Sequence, residues 1–187
     1  MRYPDLLEAI APKGSGLNLE PIDDYRARVR PLLPNWPDCP LRQWPHRHWC
    51  DFRRTWAWLE VEGLEFHQES WPTNRILAEV RAVGHQQFVV QAQAIANDPS
   101  RREGWWLWEQ VSAHGTWPVP ILVLRYEGEF RSHDRVTLHR PYTLLEGHKR
   151  LECFLALNSM KSAAIASEHD VWLVRARPSK VRRRYEP

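Results

Sequence analysis

Glu146, Gly147, His148, Lys149 and Arg150 stand in one run, and no other stretch of the chain joins so many groups able to do chemistry. Three side chains that can donate to an anion follow a glycine, which lets the backbone turn sharply and a ligand approach closely. Arginine adds a planar fork that can hold a phosphate through two parallel bonds. Glu146, just before the glycine, can cap a helix, pair with Arg150, or hold a metal ion or a ribose hydroxyl. Tyr142 to Leu145 is apolar and strand-like, and Leu151, Phe154 and Leu155 continue beyond the run at helical spacing. A strand that feeds a helix through Glu-Gly presents the backbone N–H groups of the helix start, at the positive end of its dipole. Cations are disfavoured there unless something negative compensates. The run is therefore expected to bind phosphate or another anion, with a solvated basic turn as the alternative.

Two other constellations are weaker. Cys39, His46, His48 and Cys50 look at first like a metal set, but their spacing matches no common structural zinc pattern. The pattern that starts at Trp49 already makes Cys50 helical, so no metal site is expected. His133, Asp134 and His139 lie in a charged segment just before the turn, where they can form a lid supplying a base or a metal ligand. A solvated hairpin is the simpler expectation. A Ser/His/Asp hydrolase reading lacks a nucleophile elbow.

The elements that position these residues change in texture along the chain. A short helix is expected after Asp23 or Asp24, stopped before Pro34, and residues 34–46, with four prolines, read as an ordered extended connector. Trp49, Phe52, Trp56 and Leu59 recur at helical spacing, with Gly63 as the stop. Helices are then expected from Trp71-Pro72 to Val83, along Phe88, Gln91, Ala92 and Ile95, and from a Ser100 cap through Trp108 and Val111 to Gly115. From residue 116 strands appear: Val119 to Leu124, Tyr142 to Leu145, and His169 to Arg175. The order predicts an α+β fold. Residues 1–99 form a mainly helical, Trp/Pro-rich N-terminal elaboration, residues 100–178 the core, and residues 179–187 a basic tail.

The chain has 187 residues, 43% of them hydrophobic, enough for one domain with a core of useful size. A formal charge of +3 argues against a histone-like binder that works mainly by counterion release. Three cysteines give no secretory framework, the N-terminus has no apolar leader, and no apolar run reaches membrane-spanning length. A cytoplasmic location without membrane contact is expected. Eleven tryptophans are many for this length; they are expected to pack the core, with Trp105, Trp106 and Trp108 the best candidates for a partner or base-stacking surface.

Gly115-x-x-Pro118-x-Pro120-Ile121-Leu122-Val123, followed after a spacer by Tyr142-x-Leu144-Leu145-Glu146-Gly147-His148-Lys149-Arg150-Leu151, resembles the ParB/sulfiredoxin-like superfamily. Partition proteins of that superfamily carry a helix, a glycine, a "P-I-x-V" strand and then a strand running into "G-E-R-R". Domains with a "DGQQRL" signature, found in modification-dependent restriction and phage defence, are similar there. The resemblance covers roughly residues 100–175 and implies a small mixed sheet with helices. It implies that Gly115, Gly147, His148, Lys149 and Arg150 bind a nucleoside triphosphate (CTP, ATP or GTP, with Mg2+), and that Glu146 and His148 serve catalysis if hydrolysis occurs. Sulfiredoxin's "G-C-H-R" differs, because His148 stands at the cysteine's place and Cys153 lies a turn further on, so sulfinic-acid reduction is not expected. No helix-turn-helix follows the core, so a partition role is not expected either.

The functional expectation is a nucleotide-binding protein, an NTPase or nucleotide-gated switch, in a DNA-linked process such as phage defence or mobile-element control, with nucleic acid as a further partner. The alternatives are a non-catalytic immunity or antitoxin-type protein that grips a partner through its tryptophan-rich half, and a ParB-like nuclease. The last needs a clustered acidic metal site that the sequence does not offer.

Overall fold

The computed structural model describes residues 3–126, 138–162 and 164–176. His133 and Asp134 of the charged segment before the turn, and the basic tail, lie outside the described residues. Within them the fold is α+β, with eight α-helices and a five-stranded mixed sheet. The strands run in the order β1-β5-β3-β4-β2, where β1 is Glu65–Pro72, β2 Val80–Arg81, β3 Ile121–Tyr126, β4 Tyr142–Glu146 and β5 Glu168–Ala176. β2 pairs with β4 in parallel, Val80 opposite Tyr142, while β3 and β4 are antiparallel, Val123 opposite Leu144. Chain contacts group the molecule into two compact units. Among the described residues, one holds 3–66 with Tyr126 and 174–176, and the other holds 67–125 with 138–162 and 164–173.

The first unit is built on helices α1 (Tyr3–Ala9), α2 (Ile22–Val29), α3 (Asp38–Leu41) and α4 (Trp49–Trp56). Trp36 lies at its centre, 1% exposed, stacked on Trp44 at 5.7 Å and meeting Phe52 edge-on at 6.4 Å, with its indole N–H given to the Val61 carbonyl at 2.8 Å. Trp36, Trp44 and Trp56 of this unit are thus core, while Trp49 and Trp58 are half-buried. Residues 34–46 are not an extended connector. They fold as α3 and a wide π-type turn, Arg42–His46, that buries Trp44, Pro45 and His46. Pro45 lies inside that turn, where it has no N–H to give to the helical ladder. Cys50 is helical and exposed, and His46 gives its Nε2 to the Glu20 carbonyl at 2.7 Å.

The second unit packs helices α5 (Thr73–Glu79), α6 (His85–Asn97), α7 (Trp106–His114) and α8 (His148–Ser159) with the sheet. Its core joins Trp71, Ile76, Val111, Trp117, Val123, Leu144, Leu151, Phe154 and Val171. β3 and β4 are buried at four successive positions each, which is why they read as continuous apolar runs. The expected helix from 73 to 83 stops at Glu79, because Val80 and Arg81 leave it to pair with β4. β1 was not anticipated: only Trp71 in it is fully buried, so its sequence has no apolar alternation. Two strands therefore come from before residue 100. Asp98, not Ser100, makes the cap after α6, accepting from Ser100 N at 3.0 Å. Gly104, with φ of 65°, separates that turn from α7.

Candidate functional site

β4 ends at Glu146, Gly147 turns the chain with φ of 103°, and α8 starts at His148. Two constraints demand glycine there. The left-handed backbone is strained for other residues, and an added Cβ would lie 2.6 Å from Cγ2 of Ile121 on β3. The turn is thus seated against the neighbouring strand. α8 has no side-chain cap and no acidic residue in its first turn, and its first internal bond runs from Leu151 N to Gly147 O at 2.9 Å. The helix start accordingly presents its backbone donors alongside His148, Lys149 and Arg150.

The side chains divide into different roles. Arg150 reaches back under the turn, giving Nη1 to the carbonyls of Val119 and Pro120, both at 2.8 Å, and Nη2 to Glu146 Oε1 at 3.3 Å. Its side chain is 11% exposed and that of Glu146 16%, so this is a shielded brace between the loop before β3 and the end of β4. Lys149 points outward, 67% exposed, and pairs with the nearly buried Glu152 one turn on at 2.7 Å. His148 meets Phe88 of α6 edge-on at 6.1 Å. The negative charge that the basic first turn calls for is supplied in part by Glu146 and Glu152.

Gly115 stands apart from this group. It ends α7 with φ of 68°, and its nearest neighbours are Ala164 and Ala166. A Cβ there would lie 1.8 Å from the Ala164 carbonyl oxygen, and Ala166 N bonds the Gly115 carbonyl at 3.1 Å. Its position allows the chain leaving α8 to cross the end of α7. Cys153 is fully buried, and burial pushes its thiol up to about 12, so it carries no thiolate for redox chemistry.

Sequence reasoning missed a buried polar hub at the start of β5. His169, 1% exposed, bonds Thr73 Oγ1 through Nε2 and Thr116 Oγ1 through Nδ1, both at 2.9 Å, between the rings of Trp117 and Phe154. A lone histidine opening a strand gives no sign of partners that are 53 and 96 residues away.

No protein-family model, curated protein or solved structure matches the chain. Among the described residues no helix is long and apolar enough to cross a membrane, and no group of three or more His, Cys, Asp or Glu side chains is placed to hold a metal ion.

Proposed function

We propose that the Glu146–Arg150 turn receives the phosphates of a nucleotide, within a core of the ParB/sulfiredoxin-like kind. The observation that carries this reading is the start of α8: a left-handed glycine, no side-chain cap, and an outward-facing lysine in the first turn. In this reading the backbone N–H groups of the first turn cradle a phosphate oxygen. Lys149 swings from Glu152 to add its charge, and Arg150 acts as the brace that holds the turn in shape. Glu146 is the one carboxylate at the turn. Mg2+ takes one or two carboxylates together with substrate phosphates, so Glu146 fits as its protein ligand, and the ion would supply charge neutralisation at the phosphates. The setting we infer is cytoplasmic and DNA-linked, such as phage defence.

Thermal-shift measurements with CTP, ATP and GTP, with and without Mg2+, test the proposal. Stabilisation by at least one nucleotide is expected, and it should be largely lost in Lys149→Gln, a variant that removes the charge while keeping a donor for Glu152. No shift with any nucleotide overturns the reading. A second reading, an interaction protein, is favoured by Trp106, which is 61% exposed on α7. It predicts a stable complex with a protein partner that Trp106→Ala abolishes, with no response to nucleotides.

A further inference from the structure

Among the described residues three buried imidazole nitrogens have no hydrogen-bond partner, Nδ1 of His46, Nδ1 of His85 and Nε2 of His139, and the last two belong to neighbouring rings. The His85 and His139 rings meet edge-on, with centroids 6.2 Å apart and planes at 61°. His85 is the first residue of α6, which follows the left-handed Gly84 without a side-chain cap, and His139 lies just ahead of β4. Both side chains are half-buried, with the two unpartnered nitrogens themselves covered. Leaving two such nitrogens unsatisfied is costly, and a ligand that engages both removes the penalty.

Two kinds of ligand can do so. A metal cation would take both lone pairs, whereas an oxyanion would accept a proton from each ring. The surroundings decide between them. Arg81 on β2 acts on His85 with its positive charge while its Nη1 holds the carbonyls of Leu77 and Val80. His148 on α8 lies across Phe88, which also stacks on His85 at 6.5 Å. Neither a carboxylate nor a thiolate joins the pair to form a three-ligand metal group among the described residues. The positive end of the α6 dipole adds potential of the same sign. That field repels a cation and attracts an anion.

We propose that His85 and His139 together clamp a phosphate-type oxyanion, each ring donating from its unpartnered nitrogen while Arg81 supplies charge. The proposal does not depend on nucleotide binding at the 146–150 turn, whose His148 packs on the same Phe88 ring. Burial, then the like charges of Arg81 and His139, hold His85 below the usual histidine range. His85 is therefore neutral near neutral pH, and a bound anion favours its protonated form, so affinity rises as pH falls.

Long-range 1H–15N NMR of the histidine rings in the full chain, titrated with inorganic phosphate at low ionic strength, tests the clamp. The resonances of His85 Nδ1 and His139 Nε2 should move toward the protonated position. In His85→Phe or His139→Phe the phosphate affinity should fall roughly tenfold or more. Lys149→Gln, which weakens the turn, should leave the response of the two rings intact, and this separates failure of the clamp from failure of the nucleotide reading. If either phenylalanine variant does not fold, the wild-type titration decides alone. Rings that stay unmoved at millimolar phosphate, or that respond to Zn2+ and not to phosphate, overturn the proposal.

Discussion

Thr73 has one hydroxyl proton and gives it to the Ala166 carbonyl at 2.7 Å, so toward His169 it can only accept. That single fact fixes the ring: Nε2 carries the proton, Nδ1 the lone pair, and Thr116 donates to it. Nitrogen NMR should therefore find His169 as the Nε2–H tautomer. Burial, the largest cause, holds its pKa below the usual value. The unfolded chain takes up a proton near pH ~6.5, while the folded ring does so only at lower pH. The stability His169 contributes is thus complete above that pH and is lost as pH falls through the folded value. Urea midpoints should drop between neutral and mildly acid pH, and His169→Gln should flatten that slope. Arg150→Ala removes two carbonyl bonds and a carboxylate contact, and should cost about 1.5–3 kcal/mol in a melt. At this scale the sequence showed where the turn was and offered Glu146 as a partner of Arg150, but not the carbonyls of Val119 and Pro120, which reach it only through the fold.

The strands β3, β4 and β5 and the helix α8 were legible because burial on both faces, or on one helical face, left continuous or periodic apolar patterns. β1 and β2 were not. β1 is held by its neighbour β5 and carries one fully buried side chain, and β2 is two residues long. Backbone pairing with a distant partner makes them strands, and local composition does not record it. Helix placement also sets thiol chemistry. Cys50 is exposed on α4 and Cys153 is fully buried on α8. An aromatic disulfide reagent should modify Cys50 in the native protein and Cys153 only after unfolding. Fast native labelling at Cys153 would contradict the placement of α8.

For the whole molecule, the abundance of tryptophan has a structural answer. Trp36, Trp44 and Trp71 are at most 1% exposed, Trp56 and Trp117 are 4% exposed, and Trp106 alone among the eleven is an exposed large hydrophobic. Iodide should quench only a small fraction of the native fluorescence, and Trp106→Phe should remove most of that fraction. The α+β class and the order of the later strands could be read from composition and period. The compact grouping that begins at His67 could not, because it depends on contacts between segments far apart in the chain.

The strand order also sets a timetable for synthesis. β5 lies between β1 and β3, yet it is made last, roughly a hundred residues after β1. At typical ribosomal rates β1 waits roughly 5–20 s for its neighbour. During that interval its edge and Trp71 are open to chaperones or to a neighbouring nascent chain. A ribosome halted before Glu168 therefore releases a polypeptide that has every helix of the described fold and no means of closing its sheet.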